Sequence, residues 1–137
     1  MLPELYVAGM FDAVGAIGIA RTTDYAQRTT FVLTVEMAHK DREALQCLAD
    51  RFGGGVTDST HRGRYVWRVS SRKAATFLEY VQPHTRSRGK EIAIGLDFTT
   101  AMRPYSAGVA VAPELMAMRE QYRQMLRAAQ KGCDAVR

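Results

Sequence analysis

The sequence predicts an α+β domain of order α-β-β-α-β-β-α with added C-terminal helices. Three observations carry that prediction. Apolar residues recur at helical spacing in five segments, they alternate with other residues in four short runs, and turn-forming residues separate the runs at hairpin distances.

The first segment opens on Pro3 and Glu4, residues suited to a first helical turn, and runs through Leu5, Tyr6, Val7, Met10 and Phe11 to Gly15, a natural stop. AIGIARTT then alternates, and beyond the polar stretch DYAQR the run TTFVLTVEM puts Phe31, Leu33, Val35 and Met37 on one side. These two runs form a hairpin. From Asp41 to Phe52, Asp41 is an N-cap and Leu45, Leu48, Ala49 and Phe52 share a stripe that stops at Gly53. GVTDST and YVWRVSS flank the turn HRGR and form a second hairpin. Helices follow over Arg72 to Val81, ending before Pro83, over Lys90 to Thr100, and over Glu114 to Gln130, the last closed by Gly132. On the last of these, Leu115, Met118, Tyr122, Met125 and Ala129 form a stripe expected to pack on the domain.

A chain of 137 residues, 47% of them hydrophobic, supports one core and no second domain. Residues 1–102 are expected to form that core unit and residues 103–137 a helical extension, with GVAVAP as the linker. No apolar run reaches the roughly 20 residues of a membrane span, and MLPELYVAGMFDAVG carries acids where a leader needs base. The chain is expected to be soluble and cytoplasmic. Cys47 and Cys133 make no disulfide framework and have no metal-ligand spacing with the histidines. A net charge of +5 suits a polyanion without demanding one. Gly53 to Gly55 is read as a turn, since no lysine with serine or threonine follows to make it a phosphate cradle.

VAGMFDAVG, from Val7 to Gly15, resembles the motif of the LAGLIDADG homing endonucleases, and the likeness continues through FVLTVEMAHKDREAL, FGGGV, YVWRVSS, RSRGKEIAIGLDF and REQYRQMLRAAQKG. The resemblance implies a saddle-shaped αββαββα domain whose four-stranded antiparallel sheet lies in the DNA major groove. It also implies a homodimer, because one motif copy is present. Gly9 and Ala13 lie four residues apart on one helical face, which fits packing on the protein's own sheet or on a second helix. Under the resemblance Leu5, Ala8, Gly9, Asp12 and Ala13 become the expected dimer interface.

Members of that family hold Mg2+ through the acid at the eighth motif position, and here that position is Val14. An isopropyl group binds no hard cation. Asp12 lies two residues earlier, about 200° around the helix axis, and is expected to hydrogen-bond near the helix end instead. No catalytic residue and no metal or other cofactor are therefore expected, Mg2+ entering only if the chain cleaves DNA. Two other positions match the family's active centre: the basic residue ahead of the last core helix falls on Arg88, and the polar residue ending the second strand falls on His39. Arg88 is suited to a phosphate. His39 fits a DNA contact and a plain surface role equally.

Strand alternation defines the face that would meet DNA. With Ile17, Ile19, Phe31, Leu33, Val35, Val56, Tyr65, Trp67 and Val69 as core, the opposite face carries Thr30, Thr34, Glu36, Thr57, Ser59, His61 and Arg68. Arg68 suits guanine, Glu36 cytosine, and the threonines weaker contacts. Arg21, Arg28, Arg62, Arg64, Arg72, Lys73, Arg86 and Arg88 would line the rim and follow the backbone. The expected function is sequence-specific binding of a pseudo-palindromic duplex DNA site by a homodimer without nuclease activity, in a regulatory role. An active endonuclease, an RNA-binding intron maturase and a protein-binding module are the competing readings.

Overall fold

A computed structural model of the chain describes every residue except 1, 24, 26–28, 60–62, 103–112 and 137, and gives the backbone alone for 102, 113, 115 and 132–136. Its elements run α1 (Glu4–Val14), β1 (Gly15–Thr23), β2 (Thr29–His39), α2 (Arg42–Phe52), β3 (Gly55–Asp58), β4 (Tyr65–Ser70), α3 (Ser71–Val81), α4 (Gly89–Met102) and α5 (Pro113–Val136). The four strands form one antiparallel sheet in the order β1-β2-β4-β3. Two helix-hairpin units thus sit side by side, joined through β2 and β4. The linker GVAVAP, apart from the backbone of Pro113, lies outside the described residues, as do Arg28, His61 and Arg62.

Local chemistry sets the element ends. Asp41 caps α2, its carboxylate accepting from the Ala44 N–H at 3.2 Å. At the other end Gly53 and Gly54 adopt φ of +91° and +83°, and a Cβ on Gly54 would stand 2.2 Å from the Arg68 carbonyl oxygen. The triple glycine is therefore a turn that lets β3 close on β4.

Alternation sends Ile17, Ile19, Phe31, Leu33, Val35, Trp67 and Val69 to one face, where all are buried. Val56 and Tyr65, on the outer hairpin, are only half-buried. Phe77 of α3 sits at the centre of this layer. Its ring meets Trp67 at 5.0 Å, Phe52 at 5.1 Å and Phe11 at 5.5 Å, each edge to face, a geometry that adds about 0.5–1.5 kcal/mol per pair beyond area burial. The Trp67 indole N–H donates to the Gly53 carbonyl at 2.9 Å, so its one polar atom is satisfied. Gly95 brings α4 close to the sheet, with room beside Leu78 and Leu33 for no larger residue without adjustment.

The last helix departs from its expected form in two ways. It runs through Gly132 to Val136 instead of stopping there. Its buried stripe is also displaced: Arg119, Leu126 and Ala129 are buried with Tyr122 and Met116 beside them, while Met125 is 45% exposed. Helical spacing alone does not fix the phase when both Met125 and Leu126 are apolar. Packing on Phe98, whose ring meets Tyr122 at 6.1 Å, does. Among the described residues no helix is long and apolar enough to cross a membrane.

Candidate nucleic-acid interface

Among the described residues, none assigned by alternation to the second face of the sheet is buried. The polar members of this open face engage one another across strands. Thr22 and Thr30 are register partners, and their hydroxyls meet at 2.6 Å. Thr34 donates to the Gly18 carbonyl at 3.3 Å. Glu36 and Arg68 stand opposite each other on β2 and β4, where one carboxylate oxygen accepts from Arg68 Nε at 2.9 Å and from its terminal nitrogen at 2.6 Å. Both side chains remain well exposed, so the pair is screened and adds little to stability. Its consequence is orientation: Arg68 stands fixed on the face, with Thr57 and Ser59 in the adjoining hollow.

The rim is less concentrated. Ser59 donates its N–H to the Arg64 carbonyl at 3.0 Å, closing the second hairpin, and the Arg64 side chain is exposed. Arg72 is exposed in the first turn of α3, beside Phe31, Val32 and Thr76. Arg88 is different in kind. Its terminal nitrogen donates at 3.1 Å to Glu91, which is 1% exposed at the start of α4. Among the described residues Arg88 Nε and the second Glu91 oxygen have no hydrogen-bond partner.

The turn after α3 straps α1 in place. His84 Nε2 lies 3.0 Å from Glu4 Oε2, the Thr85 hydroxyl donates to Asp12 Oδ1, and the Arg86 N–H donates to Asp12 Oδ2 at 2.9 Å. Both Asp12 oxygens are therefore engaged within the chain. His39, at the end of β2, accepts from the Asp41 N–H through Nδ1 at 3.0 Å and lines a hollow with Val14, Leu5, Tyr6, Gly9, Met10 and Ala13. Apart from the Tyr6 phenol and the His39 imidazole the hollow is lined by apolar residues and has no carboxylate, where a hard cation needs several oxygens, so the residues present do not fit Mg2+.

One face of α1 points outward. Leu5 is 72% exposed, Gly9 has open space where a Cβ would be, and Ala13 is exposed, so residues four apart make a continuous strip. Ala8 does not belong to it. At 0% exposure Ala8 is sealed into the chain's own core, because it lies about 100° around the axis from Gly9, on the Phe11 side. Tyr6, at 47% exposure, joins the strip; the sequence reading counted it in the apolar run of the helix and left it out of the expected interface.

No family model and no curated protein matches the sequence. Solved structures do. The crystal structure of the homing endonuclease I-TnaI superposes with a TM-score of 0.75 at 15% identity, over 99% of both chains. The archaeal intron-encoded homing endonuclease I-Vdi141I, solved with DNA, gives 0.75 at 14% identity over 92% of this chain and 82% of its own. I-CvuI, solved on an uncleaved DNA target with Mg, gives 0.76 at 16% over 92% and 80%. The chain spans 44% of the LAGLIDADG homing endonuclease I-GzeII, also solved with its DNA target. The fold is that of the LAGLIDADG homing endonucleases, as the sequence resemblance implies. At these identities the likeness establishes architecture alone.

Proposed function

We propose that the chain binds duplex DNA as a homodimer, with the open face of the sheet in the major groove and the outward strip of α1 at the dimer axis. The observation that carries this reading is the uncovered sheet face with its ordered Arg68 and Glu36, in a fold whose solved neighbours include DNA complexes. An arginine held in one orientation forms a bidentate contact to guanine at reduced entropic cost. Arg64 and Arg72, both exposed, hold the backbone, and the net charge of +5 per chain favours the polyanion.

Binding without metal-dependent cleavage follows from Val14 and from the engagement of both Asp12 oxygens. A chain that finds a site and leaves it intact is suited to a regulatory role. The dimer is tested by light scattering at micromolar concentration, where twice the 15.3 kDa chain mass is expected. Gly9→Leu should reduce that mass to one chain. A monomer that is insensitive to Gly9→Leu removes α1 as the interface.

A further inference from the structure

We propose that α5 carries a second nucleic-acid contact, in which Arg123 and Arg127 grip the phosphate backbone beside the β1 edge of the open face. The proposal rests on the duplex-binding reading and extends the contact surface to a helix that sequence reasoning treated as packing alone.

Three observations place these arginines. The Gln130 side chain donates to the Ile17 carbonyl at 2.7 Å, on the strand that pairs only with β2, and so fastens α5 along the free edge of the sheet. A hollow of about 270 Å³ joins the two elements there, lined by Gly18, Ala20 and Thr34 of the open face and by Arg123, Arg127 and Gln130 of the helix. The arginines consequently stand next to the surface proposed to meet DNA. The open-face positions of β1, namely Ala16, Gly18, Ala20 and Thr22, carry no charge, so among the described residues a duplex lying across the sheet meets cations at this edge on α5 and at Arg21.

Charge and spacing agree. Arg123 is one member of a small cluster: its guanidinium lies 3.1 Å from Glu120, whose carboxyl is held below the usual range first by the Gln124 amide and then by the charges of Arg123 and Arg21. Glu120 offsets part of that local charge. Arg127 is exposed and takes part in no ion pair among the described residues. Residues four apart on a helix lie about 6 Å apart along its axis on one side, so Arg123 and Arg127 can follow the same stretch of backbone.

The test is a titration of mixed-sequence duplex DNA between about 50 and 200 mM salt. Arg127→Gln is expected to lower the slope of log affinity against log salt by about one for each subunit bound, and the Arg123→Gln/Arg127→Gln pair by more. Arg127→Lys keeps the charge and should keep the slope. The ranking of DNA sequences should not change, since a phosphate contact carries no sequence information. Thermal unfolding of each variant establishes that the helix is intact; Arg127→Gln alters an exposed side chain and is the decisive variant if the pair fails to fold. A folded Arg127→Gln with the unmodified chain's slope overturns the α5 contact while leaving duplex binding standing. Affinity of the unmodified chain weaker than about 10⁻⁴ M at low salt overturns both.

Discussion

The two faces of one sheet are built from alternate residues of the same strands, yet they obey different rules. On the helix side Trp67 is enclosed by Phe77 and fastened to Gly53, and Ile17, Leu33 and Val35 are fully packed, so the central side chains there are constrained by their neighbours. On the open side Glu36 and Arg68 are constrained only by each other. The contrast teaches that this fold's stability and its proposed recognition surface are separable: residues one position apart along β4, Trp67 and Arg68, belong to different problems.

Substitutions on the two faces should therefore fail in different assays. The largest effect is expected for Phe77→Ala, which removes the ring that three other aromatics meet and should cost about 3–5 kcal/mol in chemical denaturation. A loss under about 1 kcal/mol would mean that the helix side can collapse around the gap and that the contrast is weaker than drawn. Asp12→Ala comes next, at about 1–3 kcal/mol, because Thr85 and Arg86 both lose their acceptor. Were Asp12 a metal ligand instead, the substitution would spare stability and abolish Mg2+-dependent cuts in a bound duplex. Arg68→Ala sharpens the comparison from the other side. Stability should move by no more than about 0.5 kcal/mol, while affinity for the preferred site falls by about 1–3 kcal/mol and one base position per half-site loses its preference.

The architecture was legible because its signals are local. Period-two alternation in FVLTVEM and YVWRV, the Asp41 cap and the Gly53 stop each depend on a few adjacent residues, and each holds in the structure. What stayed hidden depends on distant pairing or on helical phase. Glu36 and Arg68 were each visible as candidates, but their union needs β4 to pair with β2 across α2 and β3, a register that neither strand's pattern contains. Asp12 finds its partners 73 and 74 residues away. A rotation of one residue separates buried Ala8 from exposed Gly9, and the same ambiguity misplaced Met125 on α5. The motif supplies an ordered set of small residues and does not say which of them the chain keeps for itself.

Separation of the two faces becomes a statement about function only if the open face finds a partner, and selection of bound sequences from random duplex DNA asks that directly. A homodimer joined through α1 presents two copies of Arg68 and its neighbours related by a two-fold axis, so the enriched sequences should be palindromic, with a guanine at one position of each half-site. Enrichment of a site without two-fold symmetry would contradict the dimer, and recovery of no preferred sequence would contradict recognition through the sheet.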